Sequence, residues 1–211
     1  YDSKKSIGYS VSEITHLLSE KLKVHCNEKE SLKTIFQNAI KEVRNIIGLN
    51  DSNHEEYYKL PTFAFIIARL SQRKLEYLIL GDCVMLVNDE QLTDHRVDRL
   101  FDLGKNEIEN SKKGLNVLNK KEILQKIRGL ANKEKGYWIG SLDDSSIEHA
   151  LYGNLEVTGD KIVLMSDGFY DYYSQNTTKS FEELIAMRKQ STELDPIYGK
   201  KDDASILVVE L

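Results

Sequence analysis

Three apolar runs follow one another between Pro61 and Asn88, PTFAFIIARL (61–70), KLEYLIL (74–80) and DCVMLVN (82–88), with only short breaks between them. Each is short and rich in β-formers, so each reads as a strand, and the close succession predicts an antiparallel meander. The apolarity is nearly continuous rather than alternating. Strands of that kind are buried on both faces, here between another sheet and helices.

What precedes these strands is helical. In SVSEITHLLSEKL (10–22), Val11, Ile14, Leu17, Leu18 and Leu22 keep the three-four spacing of one buried face. Asn27 offers the next N-cap, with Glu30 as its capping-box partner. Leu32, Ile35, Phe36, Ala39, Ile40, Val43 and Ile47 then line one side of a second helix, which Gly48 is placed to end. Beyond the strands, residues 95–135 are highly charged and carry two weaker helical stripes. One holds Leu100, Leu103 and Ile108, the other Ile123, Leu124, Ile127 and Leu130. This reads as a surface helical excursion within one domain. GYWIGSL (136–142), IEHALYGNLEV (147–157) and DKIVLMS (160–166) look strand-forming, with His149 in a strand. SFEELIAMRK (180–189) reads as a helix with Phe181, Leu184 and Ile185 inward, and ASILVVEL (204–211) closes the chain as a buried strand. Helices first, then strands, then helices inserted between strands is the order of an α+β protein with a mostly antiparallel core.

Several function classes fall away on composition. A chain of 211 residues with 40% apolar and 30% charged residues has material for one core and a soluble surface. Its net charge of −5 argues against a nucleic-acid groove, which needs a basic excess. No apolar run approaches the roughly 18 residues of a membrane span, and YDSKKSIGYS at the start has no signal-like apolar stretch. The two cysteines, Cys26 and Cys83, are far apart and read as thiols in a reducing, cytoplasmic setting. Metal-site spacings such as C-x-x-C and H-E-x-x-H are absent. His16, His25 and His54 read as surface or capping residues, and Trp138 with Tyr137 as a core or flap anchor.

The stretch that carries chemistry is GDKIVLMSDGFYDYYS (159–174), where a strand runs into Asp167, with Asp171 one turn further on. A second acidic pair, Asp202 and Asp203, stands immediately before the last strand. Two readings of these acids stand side by side. Asp is common in turns and caps, so Asp167-Gly168 can be a turn and Asp202 a solvated loop residue. Alternatively, neighbouring strands bring Asp167 and Asp202 to one sheet edge. Carboxylates that close need neutralising, and hard oxygen donors suit Mg²⁺ or Mn²⁺. Two such ions can bridge a water and clamp a phosphoryl group.

The stretch GDKIVLMSDGFYDYYS resembles the strand–Ser-Asp-Gly–aromatic-x-Asp segment of the metal-dependent serine/threonine phosphatases of type 2C. KKDDASILVVEL is similar to that family's closing acidic step and strand. PTFAFIIARL with LEYLILGDCVMLV resembles its central strand pair and Gly-Asp turn, and LTDHR matches its Asp-His step. The resemblance covers about residues 60–211. It implies a four-layer α-β-β-α sandwich with two mostly antiparallel sheets and a site for two Mn²⁺ or Mg²⁺ ions, a third being bound in some members. Asp167 and Asp202 correspond to ligands of the core metal pair, and Asp94 and Asp171 to ligands of the looser third ion. Asp82, in the Gly-Asp turn, corresponds to a structural residue, His95 to structural support, and residues 95–135 to the variable flap. The implied activity is hydrolysis of phosphoserine and phosphothreonine in a protein substrate by a metal-bridged hydroxide. The alternative is a catalytically inactive regulatory or binding domain of the same fold. The family's first metal ligand lies in an early Asp-Gly step, and its phosphate-gripping Arg is early too. Neither is visible after Tyr1, and Asp2 is followed by Ser. The resemblance therefore implies an N-terminally incomplete domain across 1–211, with those groups upstream.

Overall fold

The computed structural model describes residues 7–26, 29–49, 60–96, 99–100, 106, 120–192 and 203–211. The expectations for Asn27, His54, Leu103, Ile108 and Asp202, and most of the charged excursion, lie outside them. Two helices lead, α1 (Val11–His25) and α2 (Leu32–Ile46). Strands β1 (Thr62–Phe63), β2 (Phe65–Ser71), β3 (Lys74–Leu80), β4 (Val84–Val87) and β5 (Glu90–Thr93) follow. Next come α3 (Lys120–Arg128), β6 (Gly140–Ser141), a 3₁₀ helix (Asp144–His149), β7 (Leu151–Glu156) and β8 (Lys161–Met165). Helices α4 (Asp167–Ser174) and α5 (Phe181–Gln190) lead to β9 (Ile206–Glu210). No helix among the described residues is long and apolar enough to cross a membrane.

All named strand pairs are antiparallel, in a four-stranded sheet ordered β5-β4-β8-β9, a three-stranded sheet ordered β2-β3-β7, and the short pair β1-β6. The expected meander is therefore corrected. β2 and β3 pair as a hairpin, but β4 leaves for the other sheet, and β3 takes β7 as its second neighbour. The cause is the connection. Gln72 and Arg73 both have positive φ (47° and 65°), the geometry of a tight hairpin turn, whereas Gly81 at φ +84° turns the chain out of the first sheet.

Side-chain alternation along the strands builds the layers. Leu78 of β3 packs with Ile14 and Leu18 of α1 and with Ile35, Phe36, Ala39, Ile40 and Val43 of α2. Its neighbours Leu75 and Ile79 face the other way, onto Met85 and Val87 of β4 and Ile162 of β8. Val84, Val163 and Met165, on the far face of that second sheet, meet Phe169 of α4 and Leu184 of α5. The three clusters are the three interfaces of helix, sheet, sheet and helix layers, the arrangement that the resemblance implies. Burying each large side chain in them contributes on the order of 1.5–3 kcal/mol.

Local chemistry decides the element ends. Ser10 and Ser180 each form a full capping box, with Glu13 and Glu183 three residues on. The cap of α2 is Ser31, whose Oγ accepts from the Thr34 N–H at 3.1 Å; the expected cap, Asn27, lies outside the described residues. The segment before β7 also differs from expectation. Asp143 accepts from the backbone N–H and the hydroxyl of Ser145, at 3.1 and 2.8 Å. That cap turns 144–149 into a 3₁₀ helix, so His149 ends a helical turn and does not lie in a strand. Of GYWIGSL only Gly140 and Ser141 are strand. The hairpin β4–β5 turns at Asn88 and Asp89, both at positive φ. Asn88 Oδ1 accepts from Thr158 N (2.8 Å) and Gly159 N (3.0 Å), pinning that turn to the loop before β8.

Candidate functional site

Strand register brings the acids together. Thr93 pairs with Val84, Val84 with Met165, and Met165 with Ile206, so these four residues form one row across the four-stranded sheet. The residues just beyond that row are Asp94, Cys83, Ser166 and Ser205. Asp82 and Asp167 stand next to Cys83 and Ser166 in the chain, and Asp203 two residues before Ser205. One rim of one sheet thus receives four separate segments that bear Asp94, Asp82, Asp167 and Asp203.

Asp167 is the first residue of α4, and its side chain is exposed. The Asp167-Gly168 step is not a free turn, since it opens an eight-residue helix. A carboxylate there is favoured by the positive end of the helix dipole. Its N-cap, Ser166, makes no side-chain cap bond. The Ser166 hydroxyl instead accepts from Ser205 N–H at 3.0 Å and donates to the Asp203 carbonyl at 3.4 Å, while Ser166 N–H donates to the Ser205 carbonyl at 3.0 Å. These bonds stitch the start of α4, where Asp167 stands, to the chain at Asp203 and Ser205 entering β9. Asp203 is exposed, and Asp202 lies outside the described residues. Tyr170 donates its hydroxyl to Gln91 Oε1 at 2.6 Å, tying α4 to β5. Asp171, one turn from Asp167, is exposed.

Asp94 is placed differently. It is 6% exposed, and Arg96 grips both of its oxygens. Oδ1 accepts from the Arg96 backbone N–H (3.1 Å) and from Nε (2.7 Å), and Oδ2 accepts from Nη2 (2.5 Å). Arg96 Nη2 also donates to the carbonyl of His149 at 2.6 Å. The His149 ring lies flat on Trp138, with centroids 3.4 Å apart and planes within 9°. Trp138 is therefore an anchor through His149, whose ring faces no acid of the rim in these contacts.

At the floor of the rim, the Cys83 thiol is pushed up from 9.0 to about 12, first by burial and then by the negative fields of Asp82 and Asp167. The donors on offer are carboxylate oxygens, the chemistry of a hard divalent cation, and a protonated thiol adds no soft ligand. Among the described residues, however, no group of three or more His, Cys, Asp or Glu side chains forms a metal cage by itself. The donor type fits Mn²⁺ or Mg²⁺, and completing a site needs Asp202 in addition.

Beside the rim, a cleft of about 620 Å³ lies between α4, α5 and the start of β9, lined by Phe169, Ile185, Arg188, Lys189, Asp203 and Ser205. Sequence reasoning passed over Arg96, Ser166 and this basic pair. Two signals were present: an Arg two residues after an acid at a strand end, and basic residues in the last turn of α5.

No curated protein matches the chain. Among solved structures, the chain is similar to the catalytic domain of the serine threonine protein phosphatase PstP in complex with two manganese ions. The identity is 13% over 92% of this chain and 78% of that one, with a TM-score of 0.49. It is also similar to PppA, a regulatory component of the T6SS in Pseudomonas aeruginosa, at 15% identity over 92% and 77%, with a TM-score of 0.45. A third is the phosphatase domain of SpoIIE from Bacillus subtilis, at 14% identity over 94% and 73%, with a TM-score of 0.30. A family profile described as Protein phosphatase 2C matches residues 3–195, most of the sequence. With helix, sheet, sheet and helix in layers and the acids gathered at one sheet rim, the chain belongs to the protein phosphatase 2C family.

Proposed function

We propose that this chain is the catalytic domain of a metal-dependent phosphatase acting on phosphoserine and phosphothreonine in proteins. The observation that carries the reading is the row Thr93–Val84–Met165–Ile206, which delivers acids from separate segments to one rim. Asp167 and Asp202 are the ligands of a pair of Mn²⁺ or Mg²⁺ ions, and Asp171 stands at the mouth. Such ions supply an activated water and neutralise the oxygens of the phosphoryl group. The chain's own residues hold that arrangement. The positive end of the α4 dipole favours a carboxylate at Asp167, and the Ser166–Ser205 bonds hold the start of α4 against the chain entering β9. The basic pair in the adjoining cleft draws in the peptide around the phosphorylated residue, provided that peptide is acidic. The setting is a reducing cytoplasm, which suits a thiol such as Cys83 beside the site.

The test is hydrolysis of p-nitrophenyl phosphate by the full-length natural protein, with and without Mn²⁺. Activity should require the metal, and Asp167→Asn should lower turnover by at least about a hundredfold. Activity without metal, or an unchanged rate in Asp167→Asn, overturns the reading. A second reading is favoured by two observations, the absence of a three-acid cage among the described residues and the guanidinium already on Asp94. It is a catalytically silent domain that binds a partner through this fold. Calorimetry separates the two, since a silent domain takes up no Mn²⁺ at the rim.

A further inference from the structure

We propose that Arg96 is a resident cation of the rim, so that in this chain Asp94 is a positioning residue paired with protein and not with metal. This inference rests on the reading of the rim as a metal site, but its structural half can be tested without any metal.

Three observations carry it. First, Asp94 is almost wholly buried and both of its oxygens are engaged, in a side-on fork from Nε and Nη2 reinforced by the Arg96 backbone N–H. A guanidinium matched to a carboxylate in this way supplies charge and direction together, which an ammonium cannot. A divalent ion would have to displace both contacts to use the same oxygens. Second, Arg96 does not serve Asp94 alone. Its Nη2 also donates to the His149 carbonyl, so one guanidinium bridges the end of β5 and the end of the 3₁₀ helix. Third, the two ends belong to different layers. β5 is in the four-stranded sheet, while the 3₁₀ helix carries Ile147 into the core shared with α1 and α2. His149 at its end is stacked on Trp138, two residues before β6. The guanidinium thus tethers the acidic rim to the opposite half of the sandwich.

The acids of the rim therefore differ in setting: Asp167 and Asp203 are exposed, whereas Asp94 is buried behind the guanidinium. Loss of the clamp frees Asp94 and releases the His149 end of the tether.

The sequence has a single tryptophan, so its emission reports Trp138 alone. Emission spectra of the wild type, Arg96→Gln, Arg96→Lys and Asp94→Asn, without metal, test the tether. All three substitutions are expected to change the intensity or position of Trp138 emission, Arg96→Lys included, because Lys cannot fork the carboxylate and reach the carbonyl. The double variant Asp94→Asn/Arg96→Gln removes both charges at once and keeps the test available if a single variant fails to fold, which circular dichroism shows. Unchanged emission in the folded variants overturns the tether. Counting bound Mn²⁺ by electron paramagnetic resonance tests the other half. Wild type and Asp94→Asn are expected to bind the same number of ions with affinities within about twofold, a difference of less than ~0.5 kcal/mol. Loss of an ion in Asp94→Asn while Arg96 is intact overturns the assignment. A wild type that binds no Mn²⁺ overturns the metal reading of the rim and leaves the emission result to decide the tether.

Discussion

Substituting Gly81 by Ala places strain at the point where the chain changes sheets. Gly81 has φ +84°, a conformation an L side chain adopts at a cost of about 1–2 kcal/mol. A Cβ at this position would lie 2.7 Å from the Ala64 Cβ and 3.1 Å from the Ala64 Cα. Ala64 joins β1 to β2 and cannot swing aside as a long side chain would, so the overlap adds about 1–3 kcal/mol. Together Gly81→Ala should cost about 2–5 kcal/mol. With a urea dependence of about 2 kcal/mol per molar, the unfolding midpoint falls by roughly 1–2.5 M. Circular dichroism in urea gives that midpoint directly. The two causes separate in part in a double-mutant cycle with Ala64→Gly, which removes the 2.7 Å Cβ contact but leaves the 3.1 Å contact to the Cα and the dihedral strain. A coupling of about 1 kcal/mol or more in favour of the double variant is expected. A midpoint shift below about 0.3 M, or no coupling to Ala64, would refute the idea that Gly81 is required by the close approach of Ala64. Because Asp82 and Cys83 follow directly, the same substitution should also weaken Mn²⁺ uptake at the rim.

The two cysteines should behave oppositely. Ellman's reagent at pH 8 should modify exposed Cys26 much faster than half-buried Cys83, whose thiol is pushed up to about 12; equal rates would contradict that difference in setting. The sign of the accompanying pH effect follows from the direction of the shift. A raised thiol favours the folded state below pH 9, and that contribution is lost as pH climbs from about 9 to about 12, so alkaline titration of the melting temperature should show a decline that Cys83→Ala lacks. Reversing the cleft charges with Arg188→Glu/Lys189→Glu should raise KM for a phosphopeptide with acidic flanks by about tenfold, equivalent to ~1.4 kcal/mol. Turnover of p-nitrophenyl phosphate, which has no peptide, should stay within about twofold; a parallel fall in both would place these residues in the chemistry itself.

How legible the site was depended on the range of the interactions that build it. Asp167 announces itself because an apolar strand cannot continue through Ser-Asp-Gly. Whether that step is a bare turn or the opening of α4 is settled by Ser166 and Tyr170, which bond across to Ser205 and Gln91. Strand β5 went unread because Glu90-Gln91-Leu92-Thr93 lacks an apolar run. Its one local signal is the Asn88-Asp89 pair, suited to the positive φ of a hairpin turn. Asp94 could be seen at a strand end but not its partner. An Arg two residues away faces the same carboxylate only once the backbone has turned.

The helical stripes and most of the strand runs came from the amino-acid order alone, because the periods of helix and strand are fixed by local backbone geometry and apolar residues must follow them. Which strands lie side by side did not. β3 prefers β7, some seventy residues away, to β4 three residues on, and β4 sits between β5 and β8. Such pairings are chosen by the packing of whole sheets against helices, a collective free energy that no window of sequence contains. The meeting of Asp167, Asp82, Asp203 and Asp94 at one rim is a product of that choice.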